Sequence, residues 1–218
     1  MEPVVDLNAW RNTPKSLQEA GEPIRFKKGR LFWRHGEACD GLLVVRTGAL
    51  KVYRQSGEGR PLSLELVLRG GVVGEEAAMP GSRRLASVQA VTPGRALYVS
   101  HARLRGLLAD DPDMLSTLFE VHSARADRTF TRLEELADVP VEGRVARLIT
   151  RLSGEVGLPD ARGTFIPLKL SRVEIAQLAS CRSETVIRLM TRWKEQGLVL
   201  TQREGLVVTD PEALAKLC

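Results

Sequence analysis

The chain has 218 residues, of which 43% are hydrophobic and 27% charged, and its formal net charge is +5. This composition supports a packed core and argues against a disordered protein, and no apolar run approaches the roughly 18 residues of a membrane helix. The three cysteines are scattered, and the N-terminus lacks a basic segment followed by an apolar one. We therefore expect a cytoplasmic protein with no disulfide framework, no secretory signal and no membrane contact.

The N-terminal half consists of short apolar segments between turns. From about Pro23 to Val99, segments such as 42–45 and 50–53 are separated by turns, several of which contain glycine. Short strands with turn signals about every 8–12 residues are typical of all-β barrels, rolls and sandwiches. The sequence therefore predicts a β-domain in this half.

A long helix is expected between Pro112 and Leu136, where apolar residues recur at steps of three and four. At about 25 residues it exceeds the usual helix length. The side of the helix that does not pack on the β-domain needs another packing surface, and the same helix of a second copy would supply it. The alternative is a helix packed only on its own domain. The candidate positions of the dimer seam, whose register the sequence leaves open, are Leu115, Leu118, His122, Arg125, Thr129 and Leu136.

A winged helix-turn-helix is predicted near the C-terminus. Ser171 and Glu174 form the capping-box pattern that begins a short helix. A second helix begins near Ser183 and ends before Gly197, a residue typical of helix C-termini. Two short helices joined by about three residues form a helix-turn-helix. The apolar segments on either side of residues 203–205 predict the hairpin that serves as its wing.

The outward face of the second helix carries Glu184 and Arg188, four residues apart. An arginine can donate two hydrogen bonds to guanine O6 and N7, and a carboxylate can accept one from cytosine N4. These residues predict base contacts in the major groove of double-stranded DNA. The competing interpretation is a Glu–Arg ion pair on the helix surface. The predicted DNA contacts are Arg182, Ser183, Glu184, Thr185, Arg188 and Arg192, of which Arg182, Thr185 and Arg192 are assigned to phosphates.

Residues 181–188 resemble the recognition helix of the Crp/Fnr superfamily of bacterial transcription regulators, and the resemblance extends over about Ile24 to Asp210. It implies an α+β fold with an N-terminal jelly-roll-like β-roll similar to a cyclic-nucleotide-binding domain, a long dimerisation helix and a C-terminal winged helix-turn-helix. It also implies a homodimer on an inverted repeat with G·C-containing half-sites, with RNA polymerase as a further partner if the protein is an activator. Ser183 and Ile187 depart from the cAMP-binding and oxygen-sensing branches, so neither branch's exact DNA site is implied.

Three parts are expected along the chain. The long helix ends at Asp138-Val139-Pro140, because the residue before a proline avoids helical geometry. We therefore predict a sensory β-roll at 1–109, a dimerisation helix at 110–137 and a DNA-binding domain at 138–218.

The resemblance also implies an effector pocket in the roll. Gly74 and Glu75 are similar to the start of the family's phosphate-binding cassette, and Arg84 is similar to the arginine that pairs with a cyclic phosphate. Leu85 and Phe130 depart from the family, since each replaces a hydroxyl residue. Cyclic-nucleotide binding and an empty roll braced by a Glu75–Arg84 pair both remain open. The candidate pocket residues are Gly74, Glu75, Arg84, Leu85, Thr129 and Phe130.

Other sensory chemistries fit the sequence poorly. Three scattered cysteines do not supply the four ligands of an iron–sulfur cluster. His35 and Cys39, four residues apart, are candidate haem ligands, but such residues are more often a loop histidine and a small buried thiol. We expect no metal site, because there is no C-x-x-C pair, and no enzyme, because catalytic motifs such as G-x-S-x-G and H-E-x-x-H are absent. Two alternatives remain: a regulator that acts without an effector and is controlled by its abundance, and a dimeric sensor whose winged domain contacts protein instead of DNA.

Overall fold

Residues 14–55, 57 and 61–218 are described by the computed structural model. Contacts between them divide the chain into two units. Among these residues, the first unit comprises 14–54 and Leu64–Phe130, and the second comprises 55, 57, 61–63 and Thr131–Cys218. None of the described helices combines the length and apolarity that a membrane crossing requires.

The first unit is built from short strands that end at turns, as the sequence predicts. Two sheets have the strand orders β1-β8-β3-β6 and β2-β7-β4-β5. The β-roll prediction is therefore confirmed. The strands are β1 (Glu22–Phe26), β2 (Leu31–Trp33), β3 (Gly41–Thr47), β4 (Leu50–Gln55), β5 (Pro61–Val67), β6 (Val72–Val73), β7 (Ser87–Ala90) and β8 (Gly94–Ser100).

Strand β3 is buried on both faces because it separates two apolar clusters. Side chains alternate across a strand, so Leu43 and Val45 pack between the sheets, in a cluster that includes Trp33. Leu42 and Val44 point the other way, into a cluster shared with helices. These helices are α1 (Lys15–Glu19), α2 (His101–Asp110) and the first turns of α3 (Asp113–Asp138).

One face of α3 belongs to the core of its own unit. Met114 and Leu118 are 1% and 3% exposed and pack against strand residues such as Val44 and Val99. The prediction that Leu118 lies at a dimer seam is therefore wrong, because this side chain covers the roll.

The second unit contains the end of α3 and a helical core beside a small sheet. That sheet has the order β11-β12-β10-β9. Val145 and Ile149 of the helix after α3 are buried, as are Val186 and Trp193 further along the chain. The elements are α4 (Val141–Val156), β9 (Leu158–Asp160), β10 (Gly163–Ile166), α5 (Arg172–Ala179), α6 (Ser183–Glu195), β11 (Val199–Gln202), β12 (Gly205–Val208) and α7 (Pro211–Ala215).

The predicted winged helix-turn-helix is confirmed in its local geometry. The Ser171 hydroxyl accepts a hydrogen bond from the Glu174 amide at 3.2 Å, and the Glu174 carboxylate accepts one from the Ser171 amide at 2.7 Å. Helix α5 ends at Ser180, whose φ of 50° turns the chain, and Gly197 follows α6 with a φ of 71°. Strands β11 and β12 then pair through Gln202 and Gly205 as the wing hairpin.

Candidate nucleic-acid interface and ligand pocket

Helix α6 has a buried face and a solvent-facing one. The buried face consists of Val186, Leu189, Met190 and Trp193. On the opposite face Glu184 and Arg188 are exposed, one helical turn apart. Within the described part of the chain, neither side chain pairs with the other or with a third group. The structure therefore contradicts the surface ion pair and leaves both groups free to contact base edges.

The residues around this pair extend the same surface. Arg182 is exposed at the N-terminal cap of α6, where its side chain makes no capping bond, and Ser183 and Thr185 are half-buried. Ile187 is 51% exposed beside Arg188. The sequence analysis left Ile187 out of the predicted contacts. An exposed apolar side chain at this point could contact a thymine methyl group.

Arg192 makes contacts within the protein that the sequence analysis did not predict. Its guanidinium donates to the carboxylate of Glu142 on α4, and the Trp193 indole donates to the same carboxylate at 3.1 Å. Burial alone raises the pKa of Glu142, but these two hydrogen bonds lower it overall. Arg192 therefore braces α6 against α4, while its side chain is 49% exposed and its assignment to a DNA phosphate stays a prediction.

A cluster of buried charges joins α3 to the roll. The Arg125 guanidinium donates to Glu65 at 2.7 Å, to the carboxylate of Glu75 and to the Val72 carbonyl at 2.7 Å. His122 lies one turn earlier on α3, with Nδ1 3.3 Å from Glu75 Oε1. Arg125 is thus directed into its own unit, which corrects its predicted place at a dimer seam.

The charges of this cluster are compensated within the chain. Burial alone raises the pKa of Glu75, but the charge of Arg125 and the hydrogen bond to His122 outweigh it, and the pKa falls to about 2. At Glu65, burial again raises the pKa, but the charges of Arg125 and Arg128 outweigh this effect and the pKa is lowered overall. The hydrogen bond to Glu75 raises the pKa of His122. Both carboxylates are therefore ionised at neutral pH and already have a cationic partner.

Arg84 is buried beside Gly74, and only one of its three guanidinium nitrogens, Nη2, makes hydrogen bonds, whereas Nε and Nη1 make none. Its Nη2 donates to Asp40 at 2.6 Å and to the Gly41 carbonyl at 2.7 Å, and its Cζ lies 3.7 Å from the centre of the Trp33 ring. Gly74 has a φ of 90°, and a Cβ there would lie 2.6 Å from Arg84 Nη1. Only glycine fits this approach. The carboxylate partners of Arg84 are Asp40 and, at 3.7 Å, Glu76, so the predicted brace by Glu75 is wrong.

The remaining pocket candidates do not converge on Glu75. Leu85 and Phe130 are 54% and 63% exposed. The Thr129 hydroxyl donates to the Arg125 carbonyl of its own helix at 2.9 Å. The structure thus brings Gly74, Glu75 and Arg84 together and leaves Leu85 and Phe130 at the surface.

A second face of α3 is apolar and exposed. Leu115, Phe119, Phe130 and Leu133 are about half exposed or more and follow one stripe of the helix. Leu115 was among the predicted seam positions, whereas Phe119 and Leu133 were not. His122 borders the stripe, and Leu136 is half-buried. Several large exposed apolar residues along one side of a helix indicate an interaction surface.

Comparison with known protein families divides the chain in a consistent way. The cyclic nucleotide-binding domain family matches residues 23–111, and the Crp-like helix-turn-helix domain family matches residues 143–217. The CRP-like cAMP-activated global transcriptional regulator of Mycobacterium tuberculosis is 27% identical over 201 residues, which cover 92% of this chain and 90% of that protein. The cAMP-activated global transcriptional regulator CRP of Salmonella typhimurium is 28% identical over 176 residues, covering 79% and 82%.

Solved structures share the fold at lower identity. FixK2 from Bradyrhizobium japonicum superposes with a TM-score of 0.78 at 18% identity, covering 90% of this chain and 96% of that one. The c-di-GMP-responsive global regulator CLP of Xanthomonas campestris has a TM-score of 0.73 at 23% identity, covering 90% and 97%. The predicted α+β arrangement of β-roll, long helix and winged helix-turn-helix is confirmed by this likeness.

Proposed function

Because the chain belongs to the Crp/Fnr superfamily of transcription regulators, we propose that it is a homodimer that binds an inverted repeat of double-stranded DNA with G·C-containing half-sites. The observation that carries this proposal is the exposed, unpaired Glu184 and Arg188 on α6. Arg182, Ser183, Thr185 and Arg192 complete the proposed DNA contacts. The proposed parts are a roll at 1–109, a dimer helix at 110–137 and a DNA-binding domain at 138–218. The protein acts in the cytoplasm, and an activating role would add RNA polymerase as a partner.

A salt titration with random-sequence duplexes tests DNA binding itself. Each phosphate contact releases counterions, so the logarithm of the affinity should fall linearly with the logarithm of the salt concentration. A winged domain that contacts protein instead would give no salt-dependent binding to DNA. This outcome would favour the dimeric sensor over the DNA-binding regulator.

A second copy of α3 is the proposed cover of the exposed stripe at Leu115, Phe119, Phe130 and Leu133. Helix α3 has 26 residues, which gives it a length of about 39 Å. Another face of α3, which carries Met114 and Leu118, is already packed in its own unit. Self-complementary pairing of the same surface on two copies closes a two-fold dimer.

Replacing Phe119 with lysine should dissociate this dimer, because a charge would be buried in the apolar seam without a partner. Light scattering at micromolar concentration should give the mass of one chain, against twice that mass for the wild type. Met79→Lys is the matched control, since Met79 is similarly exposed but is not part of α3. A Phe119→Lys protein that keeps the wild-type mass would place the interface elsewhere.

We further propose that the regulator acts without a cyclic nucleotide. The Mycobacterium tuberculosis and Salmonella typhimurium relatives are cAMP-activated, and the Xanthomonas campestris protein responds to c-di-GMP. In this chain Glu75 is paired with Arg125, and Arg84 is bonded to Asp40 and Gly41. A nucleotide would compete with these internal partners for Glu75 and for Nη2 of Arg84, whose Nε and Nη1 make no hydrogen bond. Abundance of the protein would then set the extent of regulation.

Addition of cAMP, cGMP or c-di-GMP should therefore leave the Tm of the purified protein unchanged. A ligand at 100 times its Kd would stabilise the folded state by about 2.7 kcal/mol and raise the Tm measurably. A concentration-dependent rise with one of the three nucleotides would reject the effector-free mode and identify the ligand.

A further inference from the structure

The turn between α5 and α6 is held by two arginines from outside the helix-turn-helix. Ser180 occupies the left-handed region with a φ of 50° and is the only non-glycine residue among those described with a positive φ. Such a conformation needs support from its surroundings. The last carbonyl groups of a helix also have no partner within the helix. The support comes from Arg132 on α3 and Arg144 on α4.

Arg132 connects the last turns of α3 to this turn. Its Nη2 donates to the Leu178 carbonyl at 2.7 Å and to the Ser180 hydroxyl at 2.9 Å. Its Nη1 donates to Glu135 at 2.9 Å, one turn further along α3. The side chain is only 11% exposed. The guanidinium is thus fixed at both ends, by its own helix and by the end of α5.

Arg144 completes the support from the other side. Its Nε donates to the Ala179 carbonyl at 3.0 Å, and its Nη2 donates to the Ser180 carbonyl at 3.2 Å. Its Nη1 donates to the Val139 carbonyl at 2.7 Å, in the break between α3 and α4. The two positive charges lie at the C-terminal end of α5, where the helix dipole favours a cation.

We propose that Arg132 and Arg144 are positioning residues for DNA recognition, which set the distance between the α6 helices of the dimer. This inference rests on the proposed function. Arg132 lies next to Leu133, a member of the exposed stripe that we assign to the dimer seam. The link from this point of α3 to the turn at Ser180, two residues before the N-cap of α6, fixes how far each recognition helix lies from the two-fold axis. Half-sites of such dimers are about 34–36 Å apart.

The test compares palindromic duplexes whose half-sites are at the preferred spacing or one base pair further apart. The wild type should bind the longer duplex at least about tenfold more weakly, because the insertion moves and rotates one half-site. Arg132→Met should bind the preferred duplex more weakly than the wild type does. The inserted base pair should reduce its affinity by a much smaller factor than it reduces the wild-type affinity. Arg132→Lys, which keeps the charge but not the forked donors, should give an intermediate ratio, and it decides the question if Arg132→Met does not fold.

Arg147→Met is the control variant, because Arg147 lies 3.8 Å from the same Glu135 without touching the turn. Its affinities for the two duplexes should have the same ratio as those of the wild type. An Arg132 variant that weakens both duplexes equally would overturn the positioning role and leave a structural one. Failure of the wild type to bind any duplex would instead reject the proposed function.

Discussion

Replacing Arg125 with methionine is expected to lower the free energy of unfolding by about 3–5 kcal/mol, the range for breaking a buried ion pair by removing one partner. The change leaves Glu75 buried without its main counterion and weakens the compensation at Glu65. It also removes the donor to the Val72 carbonyl. Urea unfolding of the purified protein measures the loss.

The pH dependence of the Arg125→Met protein follows from Glu75. In the wild type the folded-state pKa is about 2, below the ordinary value of 4.5. The ionised Glu75 carboxylate therefore contributes fully to the free energy of unfolding above about pH 4.5, and this contribution is lost as the pH falls through 2. Without Arg125, burial raises the folded-state pKa above the unfolded value, so stability is lost as the pH rises. Protonation of His122, whose pKa is raised by its hydrogen bond to Glu75, also favours the folded state at lower pH. The loss of unfolding free energy in Arg125→Met should therefore be smaller at about pH 5 than at neutral pH.

Arg151→Met serves as the control for this comparison. Arg151 lies 3.9 Å from Glu155 in a partly exposed pair on α4, and such pairs contribute about 0–1 kcal/mol. Arg151→Met should lower the free energy of unfolding only slightly, and by the same amount between about pH 5 and 7. If Arg125→Met and Arg151→Met unfold at the same urea concentration, the cluster around Glu75 does not stabilise the roll.

Replacing Arg188 with alanine is expected to cost about 1–3 kcal/mol of DNA-binding free energy per half-site, the range for a bidentate contact to guanine. The loss should be confined to sites that carry the G·C pair, since the alanine side chain no longer distinguishes bases at that position. Fluorescence anisotropy with matched and substituted palindromes measures both quantities. The fold should be unaffected, because Arg188 is exposed.

Arg182→Ala is the matched variant for this experiment. Arg182 is also exposed, but we assign it to a phosphate, so binding should weaken equally on all sequences and the salt dependence should become shallower. Identical sequence preference for Arg188→Ala and the wild type would remove Arg188 from base recognition. A changed preference in Arg182→Ala would reject its assignment to phosphate.

The features that the sequence predicts well depend on residues close together in the chain. Ser171 and Glu174 of the capping pair are three positions apart, and Gly197 follows the C-cap residue of α6. The hairpin across 203–205 is equally local. Such signals identify the helix-turn-helix and its wing without knowledge of the remaining structure.

The features that the sequence analysis assigned wrongly or missed depend on distant partners. Arg125 bonds to Glu65 and Glu75, 60 and 50 residues earlier, and Arg192 bonds to Glu142, also 50 residues away. Apolar residues occur on both sides of α3, so periodicity alone could not tell the core position of Leu118 from an exposed one. The helical repeat itself places Arg125, seven residues after Leu118, on the same face of α3 as Leu118.

Selection of bound sequences from a pool of randomised duplexes, with the full-length wild type, tests the central claim most directly. We expect an inverted repeat whose half-sites lie about one helical turn apart and share a G·C pair, enriched more strongly as salt weakens non-specific binding. A pool that remains random after repeated rounds would contradict base recognition by Glu184 and Arg188.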